Sequence, residues 1–137
     1  MREKRRVVVV DDEREIALGI ALRLRAAGYH AETAFTARAG LDLARGAPTD
    51  AVVLDLRMPE MDGFQLLMAL KSAPATAAVP AIVVSANVTE QARTQALGLG
   101  AARFIEKPYQ AEALLSALAD VLRAAESPAA RPPTAAI

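Results

Sequence analysis

A short apolar segment that ends in a carboxylate constrains the fold of this chain more than any other feature. Residues 51–54 read AVVL, a run that is too short for a helix and typical of a strand buried on both faces. Asp55 follows this strand directly, and Asp62 and Gly63 then mark a turn and the start of a helix. Open α/β sheets place their functional groups at the carboxyl ends of such strands, so Asp55 is a candidate functional residue. The alternative is that Asp55 only caps a turn.

Similar strand-like segments recur along the chain and alternate with helical patterns. The predicted strands are residues 6–10, 30–34, 50–55, 81–85 and 103–105. The predicted helices are residues 13–27, 36–45, 63–72, 88–97 and 109–124. The third helix is expected to bury an apolar side formed by Phe64, Leu67, Met68 and Leu70. Five strands that alternate with five helices predict a parallel sheet with helices on both faces.

The composition excludes several classes of protein. The 137 residues fit one domain, and the net charge of zero gives no electrostatic footprint for nucleic acid or an anionic membrane. The absence of cysteine excludes disulfides and thiolate metal ligands. No apolar stretch is long enough to span a bilayer, so we expect a cytoplasmic protein. Residues 1–124 form the predicted domain, and the Pro- and Ala-rich residues 125–137 are expected to be a disordered tail or linker.

Five polar residues are expected to meet at one edge of the predicted sheet. Asp11 and Asp12 follow the first strand, Asp55 follows the third, Ser85 ends the fourth and Lys107 follows the fifth. The carboxyl ends of parallel strands lie at the same edge, so these side chains should be close together. Three carboxylates packed together repel each other, and a hard divalent cation such as Mg²⁺ relieves that repulsion. The sequence therefore predicts Asp12 and Asp55 as metal ligands, with Asp11 binding directly or through water.

The remaining two polar residues indicate that an anion also enters the site. The ammonium group of Lys107 suits a phosphate, and the hydroxyl of Ser85 has one hydrogen bond to donate to a phosphoryl oxygen. A carboxylate, Mg²⁺, a lysine and a hydroxyl are the groups needed to move a phosphoryl group onto Asp55. In this hypothesis Asp55 is the nucleophile and forms an acyl phosphate.

At these residues the sequence resembles the receiver domain of bacterial response regulators, the phospho-acceptor half of two-component signalling. The similarity covers about residues 5–124 and rests on four segments in order, VVVVDDE, VVLDLRMPEMDG, VVSAN and FIEKP. Thirty residues separate Asp55 from Ser85, and 22 separate Ser85 from Lys107, as in the family pattern. The resemblance implies a flavodoxin-like (βα)5 fold, an α/β doubly wound parallel sheet of five strands in the order 2-1-3-4-5.

The resemblance also implies the roles of individual residues in metal binding and phosphorylation. Asp55 is the expected phospho-acceptor, and it binds Mg²⁺, or Mn²⁺, together with Asp12, Asp11 and the backbone carbonyl of Arg57. The donor is expected to be a histidine kinase or a histidine phosphotransfer protein. The only histidine of the chain, His30, falls in a strand-like segment and is therefore not expected to be the donor.

Further residues are expected to respond to phosphorylation. The resemblance implies that Lys107 and Ser85 hold the phosphoryl group and that the Lys107–Pro108 peptide bond is cis. Ser85 is expected to move toward the phosphoryl group while Phe104 turns inward into the space that it leaves. In the alternative, Phe104 simply packs in one position in both states. The output is expected to be a partner or a second copy bound at the face of the fourth helix, fifth strand and fifth helix, without direct contact to nucleic acid or a membrane.

Two residues depart from the typical family pattern and should lie at the mouth of the pocket. Arg57 places a long cation two residues after the acceptor, and Asn87 places an amide two residues after the hydroxyl. We hypothesise that Arg57 hinders the hydrolytic water and lengthens the phosphorylated lifetime, whereas the alternative is a solvated arginine that only borders the site.

Three functions are compatible with this site. The leading one is a signalling module, not an enzyme with a metabolite substrate, which catalyses its own phosphorylation and dephosphorylation. The second is a Mg²⁺-dependent phosphohydrolase, which usually carries a second acid two residues after the nucleophile, where this chain has Arg57. The third is a degenerate receiver that serves only as a dimerisation surface, which the complete set of site residues argues against.

Overall fold

Strands and helices alternate from end to end in the part of the chain that the computed structural model describes, which is residues 4–58, 60–86 and 89–126. The strands are β1 (Arg6–Val10), β2 (His30–Ala34), β3 (Ala51–Leu54), β4 (Ala81–Ser85) and β5 (Arg103–Glu106). The helices are α1 (Arg14–Ala26), α2 (Ala37–Gly46), α3 (Gly63–Ser72), α4 (Glu90–Gly98) and α5 (Ala111–Glu126). The βα repeat predicted from the sequence is confirmed.

The five strands form one parallel sheet in the order β2-β1-β3-β4-β5. Val10 of β1 pairs with Ala34 of β2 on one side and with Leu54 of β3 on the other, so β1 and β3 end at the same level. Ser85 of β4 pairs with Glu106 of β5 in the same way. The residues that follow these strands therefore lie along one edge of the sheet, and the predicted flavodoxin-like order is confirmed.

Alternation along the strands divides the core into two clusters, one on each face of the sheet. Val8 and Val10 pack on the face that carries α2, α3 and α4, whereas Val7 and Val9 pack on the face that carries α1 and α5. All four valines are at most 1% exposed. A strand buried on both faces reads as a continuous apolar run, which is why β1 and β3 were recognisable from the sequence.

Several boundaries and one helix face differ from the prediction. α4 begins at Glu90, because the hydroxyl of Thr89 accepts a hydrogen bond from Ala92 N at 3.1 Å and so caps the helix. α5 continues through Glu126, two residues past the predicted end of the domain. In α3 the prediction of a buried Met68 is wrong, since Met68 is 50% exposed and Leu66 is buried instead. The predicted tail after residue 126 lies outside the described residues.

Candidate functional site

Neighbouring strand ends place Asp11 and Asp55 side by side. Asp11 follows Val10 and Asp55 follows Leu54, and these two preceding residues are register partners. Backbone hydrogen bonds continue past the strand ends, from Asp11 N to Ala34 O and from Asp55 N to Val10 O, each at 3.1 Å. Both aspartates are buried, at 2% and 7% exposure. The sheet itself therefore fixes two carboxylates at its edge.

The ammonium group of Lys107 bridges these two carboxylates. Lys107 Nζ lies 3.0 Å from Asp11 Oδ2 and 3.1 Å from Asp55 Oδ2. Its backbone N–H donates to Ser85 O at 2.9 Å, which ties the loop after β5 to the end of β4. The Lys107–Pro108 peptide bond that follows is cis. Three residues that are far apart in sequence thus form one ion-paired group.

Burial and the neighbouring charges shift the pKa values of Asp11 and Lys107. Burial raises the pKa of the Asp11 carboxyl, although the N–H of Glu13 and the ammonium of Lys107 oppose that effect. Burial alone would lower the pKa of Lys107, but the hydrogen bonds and charges of Asp11 and Asp55 outweigh it and raise that pKa. Lys107 is therefore a fixed cation at neutral pH.

A third carboxylate, Asp12, completes a cluster with the chemistry of a metal site. Asp11, Asp12 and Asp55 each offer an oxygen, and these oxygens all lie within 4.8 Å of one another. Asp12 is exposed, so the cluster opens to solvent on one side. Among the described residues, the ammonium of Lys107 is the one cation that forms an ion pair with these three carboxylates, which leaves the cluster formally anionic. Oxygen ligands, an excess of negative charge and access to water together fit a hard divalent cation such as Mg²⁺.

The second oxygen of Asp55 is held by the loop that follows β3. Asp55 Oδ1 accepts a hydrogen bond from Arg57 N at 3.2 Å, while the side chain of Arg57 is exposed. The roles predicted for the Arg57 carbonyl and for its side chain at the pocket mouth stay predictions. Asn87, the other residue expected at the mouth, lies outside the described residues.

Gly63 allows the β3–α3 loop to fold back against Asp55. A Cβ atom at Gly63 would lie 2.3 Å from Asp55 O and 2.5 Å from Leu56 Cα, so no side chain fits there. Gly63 N also donates to Leu56 O at 2.9 Å, and Asp62 caps α3 with its side chain. Sequence reasoning identified Gly63 only as a helix start. A glycine at the first position of a helix, where other residues are better helix formers, was the available signal for this close contact.

Ser85 and Phe104 lie on the same face of the sheet. Ser85 is fully buried at the end of β4, two residues after Val83, and Val83 is the register partner of Phe104. Val83 and Phe104 both pack in the cluster on the α4 side of the sheet. Phe104 is half-buried, and the guanidinium of Arg93 in α4 lies over its ring, 5.7 Å from the centroid. The two residues predicted to form a switch therefore lie on one face of the sheet, on adjacent strands and two residues apart in register.

Comparisons with known proteins agree with this geometry. A family model described as "Response regulator receiver domain" matches residues 7–119. The "Transcriptional regulatory protein KdpE" of Mycobacterium tuberculosis is 34% identical over 117 residues, which is 85% of this chain and 50% of that protein. The "Response regulator MprA" of Mycolicibacterium vanbaalenii is 35% identical over 118 residues, 86% of this chain and 50% of that protein. The chain thus spans about half the length of these curated relatives.

Solved structures extend the likeness to the fold. The chemotaxis protein CheY4 of Vibrio cholerae superposes with a TM-score of 0.82 at 29% identity, over 86% of this chain and 98% of that one. The structure named FIXJ-N superposes with a TM-score of 0.80 at 29% identity, over 89% of this chain and 96% of that one. In the described part of the chain, every helix is too short or too polar to cross a membrane.

Proposed function

The chain belongs to the response regulator receiver domain family, and from that membership we propose that it accepts a phosphoryl group on Asp55 from the phosphohistidine of another protein. Response regulators are signalling modules that receive signals from histidine kinases and act on output domains. The observation that supports the proposal most directly is the position of Asp55. It is a buried carboxylate that contacts a lysine ammonium and lies in a cluster of three acids.

The proposed reaction is an in-line phosphoryl transfer. A carboxylate oxygen of Asp55 attacks the phosphorus atom, the P–N bond to the donor imidazole breaks, and an acyl phosphate forms on Asp55. Lys107 is proposed to bind the new phosphoryl oxygens, and its contact with Asp55 Oδ2 supports that role. Ser85 is proposed to donate its hydroxyl to one of these oxygens, and its position at the end of β4 supports that role.

The metal in this proposal is Mg²⁺, or Mn²⁺, held by Asp12, Asp55 and the backbone carbonyl of Arg57, with Asp11 binding directly or through water. When bound, it supplies the positive charge that offsets the carboxylates and the incoming phosphoryl oxygens. The exposure of Asp12 supports this role, since Mg²⁺ retains several water ligands in most protein sites.

We propose that the signal leaves the site through Ser85 and Phe104. Movement of Ser85 toward the phosphoryl group would open space on the α4 side of the sheet, and Phe104 would turn into it. The face formed by α4, β5 and α5 would then change shape and bind a partner or a second copy of the chain. A cytoplasmic location and a histidine kinase or phosphotransfer protein as donor belong to the same proposal.

The proposal is tested by incubating the protein with Mg²⁺ and acetyl phosphate and measuring the intact mass. We expect about one phosphoryl group per chain in the wild type and in Asp42→Asn, an exposed carboxylate on α2 that serves as the control. Asp55→Asn should gain none. Continuous release of phosphate without a retained phosphoryl group would instead indicate a phosphohydrolase, and no reaction at all would refute the proposal.

A further inference from the structure

The ring of Phe104 is covered by a cation from the neighbouring helix. Arg93 is exposed on α4, and its guanidinium carbon lies 5.7 Å from the Phe104 ring centroid. A guanidinium over an aromatic face is attracted by the negative charge density of that face. Phe104 also packs against the apolar cluster beneath α4. Phe104 thus contacts both its own core cluster and Arg93.

Within residues 4–58, 60–86 and 89–126, Arg93 forms no ion pair and no side-chain hydrogen bond, so the ring is its one specific contact there. The carboxylates nearest in sequence to this contact are Glu90, one turn earlier on α4, and Glu106, on the same side of β5 as Phe104, and neither forms an ion pair with Arg93. Among the described residues, the guanidinium therefore has no ion-pair partner that competes with Phe104. An inward turn of the ring would move it away from the guanidinium and weaken this contact.

We propose that Arg93 is a positioning residue for the switch, which holds Phe104 in its resting position and opposes its inward turn. The inference rests on the proposed function, because it assigns regulation to the same site. The contact stabilises only the resting state, so its loss must favour the switched state by the same factor. A cation over a ring at an exposed site is worth about a two- to five-fold change in that equilibrium.

The test is a double-mutant cycle on Arg93 and Phe104. The chains compared are wild type, Arg93→Gln, Phe104→Leu and the double variant. Arg103→Gln is the control, because Arg103 is exposed on β5 and its guanidinium donates to the adjacent Ala102 carbonyl. Each is titrated with beryllofluoride, a phosphoryl mimic, at a fixed excess of Mg²⁺, and binding is followed by amide NMR. Arg93→Gln should lower the half-saturating concentration about two- to five-fold relative to wild type. Arg103→Gln should leave it unchanged, and Arg93→Gln should have no effect in the Phe104→Leu background.

A second readout follows the contact itself. The Arg93 Nε–H proton should show a ring-current shift in the resting wild type that is lost on adding beryllofluoride, and Arg93→Lys should retain part of the resting-state stabilisation. An equal effect of Arg93→Gln with and without the Phe104 ring, or no effect in either, would overturn the inference. Failure of wild type to respond to beryllofluoride at all would instead refute the proposed function, so the two failures are distinguishable.

Discussion

Removal of the Lys107 ammonium should destabilise the fold and make its stability depend more strongly on pH. In Lys107→Met, Asp11 and Asp55 lose the cation that contacts both of them at 3.0 and 3.1 Å. Loss of one partner from a buried ion pair costs about 3–5 kcal/mol, and the lower value is appropriate because Lys107 keeps 15% side-chain exposure. With a urea m-value of about 2 kcal/mol/M, a cost of about 3 kcal/mol lowers the unfolding midpoint by about 1.5 M.

The sign of the pH dependence follows from Asp11. Burial already raises the pKa of Asp11 in the folded wild type, and Lys107 opposes that rise. Without the ammonium this pKa rises further, so the folded state binds a proton that the unfolded state has released. The stability of Lys107→Met should therefore fall as pH rises through the pKa of Asp11, and acidification from pH 7 to about pH 5 should restore part of it. The raised pKa of Lys107 gives the wild type its full contribution throughout this range, because that contribution is lost only as pH rises above 10.5.

The assay is urea unfolding of metal-free protein at both pH values, followed by far-ultraviolet circular dichroism. Lys71→Met is the matched control, since Lys71 is a half-buried lysine whose ammonium donates to the backbone carbonyls of Val79 and Ala77 and, in the described part of the chain, pairs with no carboxylate. Lys71→Met should lose about 1–2 kcal/mol, equally at both pH values. A Lys107→Met variant as stable as wild type at pH 7, or one with no recovery on acidification, would refute the reasoning.

Three further predictions concern the loop after β3. Gly63→Ala should lower the free energy of unfolding by about 3 kcal/mol in urea, because the new Cβ atom would clash with the backbone of Asp55 and Leu56. The control is Gly19→Ala in α1, where a Cβ atom has nothing within 4 Å, and it should raise the free energy of unfolding by about 1 kcal/mol. Equal effects at the two glycines would show that the close contact is not real. Glu60 has a φ of 68°, a backbone conformation that glycine adopts more readily than other residues. Glu60→Gly should therefore stabilise the chain by about 0.5–1 kcal/mol in the same assay, and Glu60→Ala should not. Arg57→Ala should raise the rate of dephosphorylation about two- to five-fold, measured as the loss of phosphoprotein after removal of acetyl phosphate. An unchanged rate would show that Arg57 is a solvated side chain with no effect on hydrolysis.

The strand ends were predictable from the sequence because their signal is local. The apolar runs before Asp11, Asp55 and Ser85 mark buried strands, and parallel topology then requires their ends to share an edge. The buried face of α3 could not be assigned from the sequence, because Leu66, Met68 and Leu70 are all apolar and only the packing of the helix decides which of them is exposed. Single-residue boundaries such as the start of α4 depend on a cap that several polar residues could have provided.

Contacts between distant residues were beyond local reasoning. The close contact between Gly63 and the backbone of Asp55 depends on how closely the start of α3 approaches the end of β3. The contact of Arg93 with the Phe104 ring depends on how α4 is oriented above β5. The guanidinium of Arg6 is a further example, since it donates to Glu32, Thr49 and the carbonyl of Leu43 and so ties β1 to three other segments. In the sequence Arg6 belongs to a basic cluster that looks like a solvated terminus. Its role becomes visible only once the sheet order brings these segments together.

The most direct test of the central claim is the position of the phosphoryl group. After incubation with acetyl phosphate and Mg²⁺, borohydride reduction converts an acyl phosphate to an alcohol that peptide mass spectrometry locates. We predict a single modified residue, Asp55, with no modification when EDTA replaces Mg²⁺. Modification at another residue, or the same yield at Asp55 without the metal, would contradict the claim that the cluster of Asp11, Asp12 and Asp55 is a metal-dependent phospho-acceptor site.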